Sequence, residues 1–122
     1  QAIDAARLWH FCDAAADIAP RVRVVPAPGH TRGQQAVIVE GSAQVLAYIG
    51  DVMPTRHHLG PAYNMGYDLH PLDNRETKAR LLGWAADAGA LLALDHDPQT
   101  PLVRVRRSAH WFELEPVATI GG

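Results

Sequence analysis

The hydrophobic and polar positions of this chain change period several times, and each change marks an expected element. Over residues 2–18, Ile3, Leu8, Trp9, Phe11, Cys12, Ala15 and Ala16 are spaced closer to the helical period than to alternation. Pro20 stops the run, so a helix is expected there. From Arg21 to Ala27 the pattern alternates through Val22 and Val24 and predicts a strand, ended by Pro26 and Pro28. Two β-prone runs, Gln35–Glu40 and Gln44–Ile49, flank Gly41-Ser42 and predict a hairpin. Residues 52–72 hold Pro54, Gly60, Pro61, Gly66 and Pro71 with no sustained period. They read as a long ordered loop, and loops of such length in compact domains usually serve function. Asp73, with Glu76 three residues on, predicts a helix start; Leu81, Leu82, Ala85 and Ala88 supply its apolar stripe and Gly89 its stop. Ala90–Leu94 predicts a short buried strand, and Leu102–Arg106 with Trp111–Glu115 a final hairpin around Ser108-Ala109. This order predicts an α/β fold, one mixed sheet with helices on one face.

Composition narrows the reading without changing it. The 122 residues are enough for one domain with a real core, and 48% hydrophobic with 20% charged residues is ordinary for a globular protein. A net charge of −2 gives no sign of a nucleic-acid or membrane-surface partner. The short run Arg104-Val105-Arg106-Arg107 fits the wet side of a strand. Cys12 is the single cysteine, which excludes an intrachain disulfide and a Cys-rich zinc cluster and suits a reducing cytoplasm. No run approaches the roughly 20 apolar residues of a membrane span, and no signal-peptide pattern opens the chain. The chain begins at Gln1 rather than Met, inside what reads as helix, so a preceding portion is expected to be missing.

Three separated pieces carry candidate chemistry: Pro28-Gly29-His30-Thr31-Arg32-Gly33, Ile49-Gly50-Asp51 and Leu94-Asp95-His96-Asp97. In each, a His or Asp stands where a β-prone run gives way to a loop, which is where a rigid sheet presents ligands to a cleft. Hydrolytic divalent metals take neutral imidazole and carboxylate ligands from several loops. Gly29 permits a sharp turn that faces the His30 ring inward, and Thr31 and Gly33 continue a turn that can fix the ring. Asp51 has two oxygens and can bridge two ions. Asp95 or Asp97 can accept a proton from the distal nitrogen of His96. In the long loop, His57, His58 and Tyr67 are candidates for substrate contact, beside Tyr63 and Asp68, and a Tyr hydroxyl there can stabilise an oxyanion. His10, His70 and His110 read as structural, Trp84 and Trp111 as core.

His30, Asp51 and His96, in that order, resemble the second half of a metallo-β-lactamase-fold hydrolase. The resemblance spans roughly residues 22–98, with the Pro-Gly-His-Thr-x-Gly turn its most specific part. It implies half of a four-layer αββα sandwich over residues 1–122. It also implies metal ligands at His30, Asp51 and His96, with Asp51 bridging and catalytic. The expected cofactor is zinc, two ions in the intact protein, with iron or manganese as alternatives. In such enzymes a hydroxide held between two zinc ions attacks a carbonyl or phosphoryl centre. Asp at position 51 points to glyoxalase II-like thioesterases and lactonases rather than β-lactamases, so an ester, lactone or thioester is the expected small-molecule substrate.

The family's first-half signature, His-x-His-x-Asp-His, is absent from the chain. Without it each ion keeps two protein ligands, short of the three usual for catalytic zinc, so the chain alone is expected to bind metal weakly and to be inactive. The missing half also leaves one sheet face uncovered. Val37, Val39, Val45, Ala47 and Ile49 are expected on that face, and it is expected to take the N-terminal half of the domain or a second copy, as a dimer. The rival readings are a non-catalytic association module with a vestigial half-site, and an iron-dependent dioxygenase on the same fold.

Overall fold

Alternating residues on both sides of the long loop build the sheet that carries the candidate residues. In the computed structural model, which describes residues 5–6 and 8–118, seven strands lie side by side in chain order. They are β1 (Ala16–Ala19), β2 (Val22–Pro26), β3 (Gln35–Glu40), β4 (Val45–Tyr48), β5 (Leu91–Ala93), β6 (Leu102–Arg107) and β7 (Phe112–Pro116). All neighbours are antiparallel except β4 and β5. A parallel pair needs a crossover, and the long loop followed by helix α1 (Pro71–Ala88) supplies it.

Cross-strand partners share a face, so the register assigns the faces. Ile38, Ala47, Leu92 and Val103 form one row across β3 to β6, each at most 3% exposed, and pack with Leu81, Leu82 and Ala85 of α1. The next row, Val22, Val39, Leu46, Leu91 and Arg104, lies on the opposite face, as do Val24, Val37, Tyr48 and Ala93. No helix of the described residues covers that face, and Val39 and Tyr48 are 38% and 43% exposed. The residues expected together on the open side therefore divide. Val37 and Val39 are on it, but the pairing of Ile38 with Ala47 sends Ala47 inward, Ile49 is buried in the α1 core, and Val45 packs against that core.

The helix expected over residues 2–18 is corrected by the structure. Residues 2–4 and 7 lie outside the described residues, Leu8–Ala15 is irregular, and Ala16–Ala19 is an edge strand with Ala16 opposite Val24. The open edge of β2 offers backbone partners, whereas a short isolated helix has little stability of its own.

Helix α1 starts at Pro71, two residues before the expected Asp73. Proline is preorganised for a first helical position, and the N-cap His70 is tied down by its N–H to the Gly29 carbonyl at 2.8 Å. Asp73 sits in the first turn, where the helix dipole favours an acid. Gly89 ends the helix in the left-handed conformation, as expected from the sequence. The buried face is Asn74, Thr77, Lys78, Leu81, Leu82, Gly83 and Ala85, an apolar half under the sheet and a polar half under the loop.

Lys78 is fully buried and organises that loop. Its ammonium donates to the carbonyls of His58, Gly60 and Tyr63 at 2.8, 3.2 and 2.6 Å. Burial pushes its pKa from the ordinary 10.5 down to about 8. Because the folded pKa lies below the unfolded one, the unfolded chain binds more protons between these values, and this group makes stability rise as pH climbs from about 8 toward 10.5. Urea midpoints of wild type and K78M across that range check this: the rise should be smaller in the variant.

Candidate metal centre

Three strand ends deliver the three predicted residues to one place. After β2, Pro28 and Gly29 turn the chain to His30, with Gly29 at φ 147° and pressed against Asn74. After β4, Gly50 at φ 52° opens a 3-10 turn, Gly50–Val52, that projects Asp51. After β5, the turn at Asp95-His96 is pinned by the His96 N–H on the Pro54 carbonyl at 3.1 Å.

The structure brings His30, Asp51 and His96 together around the carboxylate. His30 Nε2 is 3.4 Å from Asp51 Oδ2, and His96 Nε2 is 3.4 Å from Asp51 Oδ1. Each oxygen thus faces a different imidazole. Two ligands about 2.0–2.1 Å from a tetrahedral zinc stand roughly 3.3–3.4 Å apart, so both separations match an edge of such a coordination shell. Imidazole and carboxylate are also acceptable to iron and manganese. The side chains of His30 and Asp51 are 20% and 29% exposed, while that of His96, at 62%, forms the open corner. Donor chemistry and spacing therefore fit a divalent metal.

Around this core the structure assigns contacts that the sequence left open. The His30 ring is held by Asp68, not Thr31: His30 Nδ1 lies 3.0 Å from Asp68 Oδ1, whose side chain is 1% exposed. Asp95 Oδ2 lies 3.5 Å from His96 Nε2, and Asp51, Asp95 and His96 offer donor atoms within 4.8 Å of one another. Asp97 is engaged elsewhere. The N–H groups of Arg56 and Thr100 donate to its carboxylate at 3.0 and 2.9 Å and hold its pKa below the usual range. The Tyr48 hydroxyl donates to Asp95 Oδ2 at 3.0 Å, a bond that raises its pKa and places a second hydroxyl-bearing ring beside the site.

The three loop candidates sit differently. Tyr67 stands edge-on to the His30 ring at 5.8 Å between centroids and is 71% exposed. His58 Nδ1 pairs with Thr55 Oγ1 at 2.8 Å, and its pKa is lowered by burial and then by nearby Lys78. His57 is exposed, and neither His57 nor His58 makes a hydrogen bond or ion pair with His30, Asp51 or His96. Sequence reasoning missed the roles of Asp68 and Tyr48. A strand-end Tyr two residues before Gly-Asp was the available signal for Tyr48; Asp68 gave none, being 38 positions from its partner.

No protein-family model matches the chain, and neither does any curated protein. Solved structures do match. AidC, a dizinc quorum-quenching lactonase, aligns with a TM-score of 0.79 at 21% identity over 92% of this chain and 39% of its own. A probable metal-dependent hydrolase from Staphylococcus aureus gives 0.79 at 18% identity over 97% of this chain and 43% of its own. The β-lactamase-superfamily hydrolase AbOPH gives 0.76 at 19% identity, over 87% and 38%. The chain spans about two-fifths of the length of these structures. Its one mixed sheet with α1 on one face has the metallo-β-lactamase fold of these structures, over one half of that fold.

Proposed function

We propose that this chain is the C-terminal half of a binuclear metal-dependent hydrolase that opens an ester, lactone or thioester. The observation that carries this reading is one carboxylate between two imidazoles, each imidazole on its own oxygen. His30 and Asp51 hold one ion and His96 and Asp51 the other, with Asp95 as an added donor on the His96 side. Zinc is the first choice, as in the dizinc lactonase that the fold resembles. Bound there, divalent ions supply Lewis acidity and lower the pKa of water toward ~7. The chain's own residues set the geometry: Asp51 keeps the two imidazoles apart, and Tyr67, with His57 and His58 on the same loop, borders the substrate cleft. The N-terminal half covers the open face around Val37, Val39 and Leu46 and brings the remaining ligands. A face of this kind left wet would be unfavourable by ~25 cal/mol per Å². Cys12 as the single cysteine suits a cytoplasmic setting.

The sequence preceding Gln1 is the first test, and a His-x-His-x-Asp-His run is expected in it. The protein spanning both halves should hydrolyse an acyl lactone, lose that activity to a chelator and regain it with zinc. The isolated chain should take up zinc more weakly. Absence of the motif from any preceding or co-purifying polypeptide would favour an association module. Iron with oxygen consumption would favour a dioxygenase.

A further inference from the structure

The polar half of α1 has no counterpart in the expected apolar stripe, and each of its buried side chains reaches a loop that frames the metal centre. Thr77 Oγ1 donates to the Pro28 carbonyl at 2.7 Å. Asn74, 1% exposed, directs Nδ2 at the Val52 carbonyl (3.2 Å), Asn64 Oδ1 (3.3 Å) and Asp68 Oδ2 (3.3 Å). Lys78 Nζ reaches the same Asn64 oxygen at 3.4 Å, besides its three carbonyls. The backbone closes the arrangement, since the Leu69 and His70 N–H groups donate to the carbonyls of His30 and Gly29 at 3.1 and 2.8 Å. A continuous polar chain, buried at Lys78 and Asn74, thus runs from Lys78 through Asn64, Asn74 and Asp68 to His30.

An imidazole has two inequivalent nitrogens, and in its neutral form one bears the proton while the other carries a lone pair. The hydrogen bond made by one nitrogen decides which can serve as a ligand. We propose that Asp68 is a positioning residue: it accepts the Nδ1–H of His30 and so turns Nε2 toward Asp51, and α1 holds it there through Asn74 and Lys78. The inference rests on His30 being a metal ligand, but it concerns the metal-free chain and is testable there. Asp68 faces His30 with Oδ1 and accepts from Asn74 on Oδ2, so its carboxylate cannot rotate without breaking both contacts, which is what fixes the ring.

The test is long-range 15N–1H correlation of the histidine rings in the metal-free 122-residue chain, which reads whether Nδ1 carries a proton. His30 should carry a proton on Nδ1, whether or not Nε2 beside Asp51 carries one too, and D68A should shift the ring toward the Nε2–H form that free histidine prefers. Zinc affinity, measured by competition with a chromophoric chelator, should fall about 10- to 100-fold in D68A. N74A, which leaves the carboxylate in place, should give a smaller fall. An Asp68 that merely stabilised the loop would lower the melting temperature and leave the tautomer unchanged, and that result overturns the proposal. So does an Nε2–H tautomer in wild type, a measurement that does not depend on any variant folding. If wild type shows Nδ1–H but saturating zinc leaves the His30 signals unmoved, the metal assignment fails while the positioning role stands.

Discussion

Replacing Gly29 with Ala should destabilise the chain by about 3–5 kcal/mol, a large share of the ~5–15 kcal/mol available to a domain. A Cβ on Gly29 would lie 2.3 Å from Asn74 Cα, 2.4 Å from its Cβ and 2.5 Å from its N, and the φ of 147° is one that L side chains rarely adopt. The neighbour is helix backbone rather than the end of a flexible chain, so the segment carrying His30 must move off α1. Overpacking of this kind accounts for ~1–3 kcal/mol and the strained backbone for a similar amount. The displacement also strains the bond of the Thr77 hydroxyl to Pro28 and of the His70 N–H to Gly29. G33A is the control. No atom lies within 4 Å of its added Cβ, and its change should stay within ~0.5 kcal/mol. Equal urea midpoints for G29A and wild type would show that the close approach is absent in solution.

Asp51→Ala should remove more zinc affinity than either His30→Ala or His96→Ala. Among the described residues the carboxylate is the one group paired with both imidazoles, so its loss opens both positions at once, whereas each His substitution leaves the other corner intact. The expected loss is about 100-fold or more, ~2.8 kcal/mol at 1.4 kcal/mol per tenfold. Asp51 sits on a short turn with its side chain 29% exposed, so the fold should survive, and unchanged urea midpoints with lost zinc binding are the expected pair of results. Metal affinity that follows His96 alone, with D51A near wild type, would contradict a shared carboxylate.

The local parts of this fold were legible in the sequence. β2 to β7 follow from alternation and turn residues, and the strand-end positions of His30, Asp51 and His96 follow from Pro-Gly, Gly-Asp and the short β5. What could not be read depends on which face meets which partner. Val37 and Ala47 look alike in sequence, and only the Ile38–Ala47 register separates them. Ala16–Ala19 became a strand because β2 had a free edge, a fact of tertiary structure. The contact of Asp68 with His30 spans 38 positions and leaves no periodic trace. Asn74, Thr77 and Lys78 were different: they continue the Leu81, Leu82 and Ala85 stripe at helical spacing. An apolar-only criterion skipped them because their burial is satisfied by loop carbonyls rather than by the sheet.

The most direct measurement is diffraction from crystals of the chain soaked with zinc, recorded at the zinc absorption edge. The expected anomalous peaks lie between His30 Nε2 and Asp51 Oδ2 and between Asp51 Oδ1 and His96 Nε2, about 3.5–4 Å apart as in two-metal sites. Zinc held away from Asp51, for instance at His57 and His58, with no peak beside the carboxylate, would contradict the account.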